Sequence, residues 1–233
     1  LRDEPTVSFL NLLANKDCRV EARLDPHCNL VGTLGNHEFD RGVTELKRLA
    51  EGGNASDGPF LEDPWRGARY PLVSANIVDA KTGKPILPPY VIKQVPYSAA
   101  DGSRRSLPIA FIGATLRETP AMVLPSGVAG VRFLDEAESI NRQVPELRAK
   151  GVRAIVVLLH QGGEQDPYEG ATNPKQTPVA GAIRDIVHRL DDEIDVVCAA
   201  HTHAFTNTEL PNAHGKPVLV TEAYSYGMAF AQI

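Results

Sequence analysis

The residues best suited to chemistry are polar side chains that directly follow apolar, strand-like runs of sequence. Four of the seven histidines share this position, namely His37, His160, His201 and His203. The first of them lies in the hexapeptide Gly35-Asn36-His37-Glu38-Phe39-Asp40, which carries an amide, an imidazole and two carboxylates. Loops at the carboxyl ends of strands are where α/β proteins place binding and catalytic groups. The four histidines therefore indicate a functional site.

The pair His201 and His203 predicts metal binding. Side chains alternate in an extended segment, so both imidazoles would point to the same side, and two such imidazoles suit a divalent transition metal. A lone histidine at a strand end is more often structural, so the indication depends on all four occurring together. The other histidines are weaker candidates for metal ligands. His188 lies off the apolar face of its helix, and His214 lies in a turn. Asp25-Pro26-His27 has metal-ligand spacing, but we interpret it as a coincidental match because no buried strand precedes it.

Hydrophobic periodicity predicts the elements that position these residues. One helix is predicted to begin near Asp3-Glu4-Pro5. Three further helices are predicted over Val43–Ala50, Asp135–Lys150 and Val179–Leu190. The predicted strands are Leu30–Leu34, Pro71–Ile77, Val91–Pro96, Pro108–Ala114, Val152–Leu159, Asp195–Ala200, Pro217–Glu222 and Met228–Ile233, with the third and fourth forming a hairpin and the last two pairing with each other. Arg104 and Arg105 are predicted to lie at a solvated hairpin tip, and Trp65 to be a packing anchor. Helices that alternate with buried strands, together with hairpins, favour a layered α/β domain with a mixed sheet.

Three blocks of sequence are distinctive in combination. They are Gly35-Asn36-His37-Glu38-Phe39-Asp40, Val157-Leu158-Leu159-His160-Gln161-Gly162-Gly163 and Ala200-His201-Thr202-His203. Together they resemble the calcineurin-like metallophosphoesterases. The first block, which ends in Glu-Phe-Asp, is similar to the 5′-nucleotidase branch, with its secreted nucleotidases, UDP-sugar hydrolases and cyclic-nucleotide phosphodiesterases. The resemblance covers essentially the whole chain, including Ser74-Ala75-Asn76, Phe111-Ile112-Gly113 and Ala223-Tyr224-Ser225-Tyr226-Gly227.

The resemblance implies a hydrolase with two divalent metal ions, such as Zn²⁺ or Mn²⁺, which activate water and clamp the phosphoryl oxygens. The implied ligands are Asn36, His160 and His201 for one ion and His203 for the other. The implied catalytic residues are His37, which lies near the phosphoryl group, and Asp40, which orients His37. Glu38 is expected to be structural. The implied partner is a nucleotide or another small phosphoester, most readily a 5′-nucleotide. A 2′,3′-cyclic-nucleotide phosphodiesterase, another ester hydrolase on the same scaffold and a non-catalytic binding protein remain alternatives.

The resemblance also implies a domain organisation. Residues 1–233 are expected to form a layered metallophosphoesterase-type α/β catalytic domain with mixed β-sheets flanked by helices. The family's earlier Asp-x-His and Gly-Asp blocks do not occur before the helix at Asp3-Glu4-Pro5, so we expect the N-terminal metal-ligand segment, and a C-terminal nucleotide-binding domain, to be missing from this stretch. Ala200 also replaces the family's usual glycine before His-Thr-His.

Composition narrows the possible partners and location. The 233 residues are 42% hydrophobic and 23% charged, as in ordinary globular domains, and the net charge of −5 disfavours nucleic-acid polymers and anionic membranes. No apolar run approaches the roughly 20 residues of a membrane span. Cys18 and Cys28 lie at the two ends of a polar loop. They are either two free thiols or a disulfide. We favour the disulfide, which implies an oxidising compartment. The family resemblance implies a periplasmic, extracellular or cell-surface location. Cys198 is predicted to be a small buried hydrophobe.

Overall fold

The computed structural model describes residues 4–14, 30–55, 61–165, 170–172 and 178–233. Within these ranges the helices are α1 (Glu4–Leu13), α2 (Val43–Glu51), α3 (Glu136–Asn141), α4 (Val144–Ala149) and α5 (Ala182–His188). The strands are β1 (Gly32–Thr33), β2 (Leu72–Val73), β3 (Ile77–Asp79), β4 (Tyr90–Ser98), β5 (Arg104–Thr115), β6 (Val131–Phe133), β7 (Ala154–His160), β8 (Glu164–Gln165), β9 (Val179–Ala180), β10 (Val196–Ala199), β11 (Phe205–Pro211) and β12 (Pro217–Ala223). Short 3₁₀ turns occupy His37–Phe39 and Thr119–Ala121. No helix among the described residues is both long and apolar enough to cross a membrane.

The main sheet has six strands in the order β11-β12-β10-β7-β5-β4. The four central strands are parallel to one another, and the two edge strands are antiparallel to their neighbours. Ala199 of β10 pairs with Leu159 of β7, so these two strands end side by side. Smaller two-stranded sheets are formed by β1 with β2, β3 with β6, and β8 with β9. The mixed sheet with flanking helices confirms the α/β fold predicted from the sequence.

The larger hydrophobic core lies between the main sheet and helices α3, α4 and α5. Strand β7 contributes Ile155, Val157 and Leu159, each at most 1% exposed. The alternate residues of β7 are half-buried, and none is exposed, as its nearly continuous apolar sequence predicts for a strand covered on both faces.

The opposite face of the main sheet is approached closely by the small sheet β1–β2. A Cβ atom at Gly113 would lie 2.1 Å from the Val73 carbonyl oxygen and 2.6 Å from Thr33 Oγ1, so only glycine fits at this crossing. A second core, centred on Leu34 and Phe39, lies beyond it and fixes the segment that leaves β1.

Helix α1 is attached to α2 by a buried ion cluster. Arg48 donates hydrogen bonds to both carboxylate oxygens of Glu45, at 2.8 Å each, and to Glu4 Oε1 at 2.7 Å. All three side chains are less than 10% exposed. Trp65 is 2% exposed, and its Nε1 donates to the Leu49 carbonyl at 3.2 Å, which agrees with its predicted packing role.

Two predicted helices differ from the observed ones. The helix predicted over Asp135–Lys150 is two short helices, because Pro145 lacks an amide hydrogen and fits best in the first turn of a new helix. The helix predicted over Val179–Leu190 begins only at Ala182. Val179 lies in β9, and Gly181 turns the chain with φ of 100°.

Two strand predictions were also wrong. The predicted strand Pro71–Ile77 is divided into β2 and β3, and Met228–Ile233 forms no strand. The partner of β12 is instead β11, which the sequence reading missed, in an antiparallel pairing from Phe205 opposite Ala223. The hairpin of β4 and β5 is confirmed, and Arg105 at its exposed tip contacts Asp101.

The cysteine predictions have different outcomes. Cys18, Cys28 and the Asp25-Pro26-His27 match lie outside the described residues. Cys198 is a free thiol that is half-buried in β10, and burial raises its pKa above the ordinary value.

Candidate functional site

The centre of the candidate site is the contact between Asn36 and His160. His160 is the last residue of β7, and its Nε2 lies 2.9 Å from Asn36 Oδ1. Asn36 is 5% exposed. Thr115, opposite His160 in the neighbouring strand, donates its hydroxyl to the Leu34 carbonyl at 2.7 Å. This bond ties the chain leaving β1 to the end of the main sheet and so brings Asn36 to His160.

Gly35 and Glu38 shape the turn that carries Asn36. A Cβ atom at Gly35 would lie 2.8 Å from His160 Nε2 and 2.9 Å from Glu38 Oε2, so a side chain there would separate the two halves of the site. The Gly35 amide donates to Glu38 Oε2 at 2.6 Å. Burial, with a smaller effect from the charge of Glu38, raises the pKa of Tyr70 to about 12. Glu38 thus has a structural contact, in agreement with the role expected for it.

His201 and His203 follow β10 in an unusual backbone conformation. Their φ angles are 81° and 57°, in the left-handed region that non-glycine residues rarely adopt. The His201 ring lies edge-on to that of His160, with the ring centroids 5.2 Å apart. The His203 ring lies 5.8 Å from the ring of Tyr226. The ends of β7 and β10 therefore bring His160 and His201 into contact, and His203 extends the site towards Tyr226.

The electrostatics of the site favour neutral imidazoles. Burial, together with smaller effects of charge on His201, His37 and His203, lowers the pKa of His160 to about 4. Burial also lowers the pKa of His201, with contributions from His203 and His37. The neutral imidazole is the form that binds a metal ion.

His37 and Asp40 form an exposed pair beside this cluster. His37 Nδ1 lies 2.9 Å from Asp40 Oδ2, and the side chains are 79% and 52% exposed. An ionised carboxylate can only accept, so Nδ1–H donates to Asp40 and the other ring nitrogen, Nε2, faces away from the pair. The 3₁₀ turn over His37–Phe39 sets this geometry, because Asp40 follows His37 by one turn.

Glu222 is a site residue that sequence reasoning missed. It lies near the end of β12, is 2% exposed, and accepts a hydrogen bond from Thr202 Oγ1 at 2.7 Å. Burial raises the pKa of Glu222 above its ordinary value. The available signal was an acidic residue at the end of the apolar run that begins at Val218.

The chemistry of the donors fits a divalent transition metal. The amide oxygen of Asn36 contacts the imidazole of His160, which also packs against that of His201, and nitrogen and oxygen donors of this kind suit zinc or manganese. Among the described residues, no group of three or more His, Cys, Asp or Glu side chains is arranged to hold an ion. In the described part of the chain, the site therefore brings together the Asn36 amide and the imidazoles of His160 and His201.

Comparison with known proteins gives relatives in sequence and in structure. No family model matches the chain. Endonuclease YhcR of Bacillus subtilis is 36% identical over 233 residues, which are all of this chain and 16% of that protein. The 2′,3′-cyclic-nucleotide 2′-phosphodiesterase/3′-nucleotidase of Salmonella typhimurium is 35% identical over 138 residues, 59% of this chain and 19% of that protein. The crystal structure of a 5′-nucleotidase precursor from Thermus thermophilus matches with a TM-score of 0.57 and 27% identity, over 84% of this chain and 33% of that one.

The chain thus spans between 16% and 33% of the length of these three proteins. The names of the second and third proteins describe nucleotidases, and the solved structure shares the fold of this chain. The chain belongs to the calcineurin-like phosphoesterase family, on the branch of the 5′-nucleotidases and 2′,3′-cyclic-nucleotide phosphodiesterases.

Proposed function

We propose that the protein hydrolyses phosphoesters of nucleotides in a metal-dependent reaction, with 5′-nucleotides as its substrates. The observation that carries this proposal is the cluster of Asn36, His160 and His201, close to a paired and accessible His37. Relatives whose names describe nucleotidases and cyclic-nucleotide phosphodiesterases support the substrate class.

The proposal assigns metal binding to four side chains. Asn36, His160 and His201 would hold one divalent ion, and His203 would contribute to a second. Bound divalent ions supply Lewis-acid chemistry, since they acidify water and neutralise charge on phosphoryl oxygens. The low pKa values of His160 and His201 keep both imidazoles available for this role at neutral pH.

His37 and Asp40 would act on the phosphoryl group. The hydrogen bond to Asp40 holds a proton on His37 Nδ1 and fixes the orientation of the ring. A proton on Nε2 of the same ring would then stabilise the developing negative charge or pass to the leaving oxygen. The high exposure of His37 leaves room for a phosphoester to approach it.

Phosphate release from AMP, measured with Mn²⁺ or Zn²⁺, tests the proposal. His37→Ala is expected to lower kcat/KM roughly 10²- to 10⁴-fold, as loss of a general acid–base group does. His214→Ala is the matched control, because His214 forms an equally exposed pair with Asp192 at the same 2.9 Å in a distant turn. Activity that survives His37→Ala unchanged, or needs no divalent metal, would refute the proposal.

A second candidate is hydrolysis of 2′,3′-cyclic nucleotides and 3′-nucleotides. The similarity to the Salmonella typhimurium enzyme, at 35% identity, favours it. The same assay with 2′,3′-cyclic AMP and 3′-AMP separates the two candidates. Single-stranded DNA is a further substrate to include, because a relative 36% identical over the whole chain is named as an endonuclease. The net charge of −5 leads us to expect little cleavage of that polymer.

The location outside the cytoplasm and the role of the chain as a catalytic domain stay predictions. Thiol labelling of the native protein tests the first through Cys18 and Cys28. If both thiols react without reduction, the disulfide does not exist and the prediction loses its support from the sequence.

A further inference from the structure

The loop after β12 lies beside the loop that carries His201 and His203. Strands β10 and β12 pair in parallel, so the chain leaves both at the same edge of the main sheet. The Tyr224 amide donates to the Ala204 carbonyl at 3.0 Å and ties the two loops together. In the described part of the chain, every non-glycine residue with a positive φ lies in these loops, namely His201, His203, Tyr224 and Tyr226. Residues held in this unfavourable conformation cluster at binding and catalytic sites, so the loop after β12 is a candidate part of the site.

Tyr226 lies in a tight turn whose backbone suits other residue types. The Met228 amide donates to the Ser225 carbonyl at 3.2 Å, which closes a four-residue turn. The φ angles are 55° at Tyr226 and 68° at Gly227, and positive values at both central residues are the signature of a type I′ turn. Asn, Asp and Gly are the usual residues at the first of these two positions, because a bulky side chain is strained there. The local backbone therefore does not explain the tyrosine.

The ring of Tyr226 projects into solvent next to His203. Tyr226 is 92% exposed, and its one ring contact among the described residues is the edge-on contact with His203, with centroids 5.8 Å apart. Tyr224 has a similar φ of 58° but packs its ring against that of Phe205. Packing thus accounts for Tyr224 and leaves Tyr226 with a strained backbone and an uncovered aromatic surface. A ligand bound beside His203 would cover that surface.

The sequence of this segment favours an uncharged, flat ligand group. No side chain from Ala223 to Ile233 is charged, so the segment offers no ionic partner to a phosphate or a carboxylate. An exposed aromatic ring instead stacks against the face of a nucleobase, whichever base that is. In a nucleotide, one sugar joins the base to the phosphoryl group. A phosphoryl group held beside His203 therefore brings the base within reach of Tyr226.

We propose that Tyr226 is a specificity-determining residue that stacks against the base of a nucleotide whose phosphoryl group lies at the histidine cluster. The inference rests on the proposed function, because it takes a nucleotide as the substrate. It adds a contact for the part of the substrate that the histidines do not touch.

The turn allows variants that remove the ring and keep the backbone. Tyr226→Asn replaces the ring with a residue that a type I′ turn favours. Tyr226→Phe keeps the ring and removes only the hydroxyl group. Phe230→Asn is the matched control, because Phe230 is 86% exposed in the same segment but makes no ring contact among the described residues.

Phosphate release from AMP and from ribose 5-phosphate, measured with Mn²⁺, tests the inference. Tyr226→Asn is expected to raise KM for AMP roughly 5- to 150-fold at a nearly unchanged kcat, the range that corresponds to the loss of one base–aromatic stack. Ribose 5-phosphate has no base, so its KM is expected to change less than about twofold. Tyr226→Phe is expected to restore most of the affinity for AMP, and Phe230→Asn to keep the wild-type KM. An unchanged KM for AMP in Tyr226→Asn, or an equal rise for both substrates, would overturn the inference.

Calorimetric titration with AMP in the presence of Mn²⁺ separates this inference from the proposed function. If the wild type does not hydrolyse AMP, the proposed function is refuted, and AMP binding then decides the role of Tyr226. Weaker binding of AMP to Tyr226→Asn, by the factor expected for KM, leaves the inference standing. Equal affinity, or no binding of AMP to the wild type, overturns it as well. Hydrolysis by the wild type with an unchanged KM in Tyr226→Asn overturns the inference alone. If Tyr226→Asn does not fold, Tyr226→Gly replaces it with the same expected results, because glycine also suits the turn.

Discussion

Asn76→Ala is expected to be among the most destabilising single substitutions outside the candidate site. Asn76 is fully buried between β3 and the end of β5. Its Nδ2 donates to the carbonyl oxygens of Thr115 at 2.5 Å and Leu134 at 3.0 Å, and its Oδ1 accepts from the Thr115 amide at 2.9 Å. The side chain therefore replaces the backbone pairing that is missing where the predicted strand Pro71–Ile77 is interrupted.

The magnitude follows from the groups that lose their partner. The alanine substitution removes three hydrogen bonds, and each buried polar group left unsatisfied costs about 1–3 kcal/mol. Partial relaxation and entry of water into the small cavity reduce the sum, so we expect a loss of about 3–5 kcal/mol in the free energy of unfolding. Asn76→Asp is expected to lose at least as much at neutral pH, because its second oxygen would face the carbonyl oxygens of Thr115 and Leu134.

Urea unfolding, followed by the fluorescence of Trp65, measures this loss. Trp65 is the single tryptophan of the chain and is 2% exposed, so its emission reports unfolding. Asn141→Ala is the matched control, because Asn141 also bonds to two backbone groups, the Arg189 carbonyl and the Asp191 amide, but nearer the surface. We expect the control to lose roughly 1 kcal/mol. The reasoning would be refuted if Asn76→Ala lost no more free energy of unfolding than the control. This comparison requires that the slope of the free energy against urea concentration is the same in both variants.

Three further predictions concern charge, space and pH. Arg48→Met removes the cation between two buried carboxylates and is expected to cost about 3–5 kcal/mol of unfolding free energy; a loss below about 1 kcal/mol in urea titrations would contradict this. Gly162→Ala places a methyl group 2.2 Å from Glu222 Oε2 and is expected to lower both Tm and Zn²⁺ affinity, so a wild-type Tm would count against it. His160 has a folded pKa of about 4 against about 6.5 when unfolded, so the metal-free protein is expected to lose about 2–3 kcal/mol of stability as pH falls from 6.5 to 4. His160→Gln should flatten that pH dependence, and His214→Ala should not; an unchanged slope in His160→Gln would contradict the prediction.

The strands that carry the candidate site were predictable because their apolar runs are long. Val152–Leu159 and Asp195–Ala200 are too continuous to be amphipathic surface elements, and they correspond to β7 and β10 with ends shifted by one or two residues. Parallel neighbours then place His160 close to the loop after β10. Sequence alone predicts that both strands have polar ends, but their adjacency depends on the order of strands in the sheet.

The elements that the sequence did not predict lack a local hydrophobic pattern. In β11 the buried positions include Thr206 and Thr208, so the strand reads as a polar segment. The division of the helix between α3 and α4 depends on Pro145, which sequence alone allows either inside a kinked helix or at the start of a new one. In each case the tertiary packing decides between conformations that the local sequence permits.

Glu222 and Asn76 escaped prediction as structural ties for a related reason. Each is a single buried polar residue whose partners come from segments distant in sequence. Glu222 bonds to Thr202, and Asn76 bonds to Thr115 and Leu134. Both act where a strand ends and regular backbone pairing stops, and at such a point the backbone groups of the following loop need other partners. The candidate site lies at these strand ends, so its geometry depends on side chains that replace the missing sheet bonds as well as on its histidines. A substitution at either tie should therefore change the site without touching any residue proposed to bind metal or substrate.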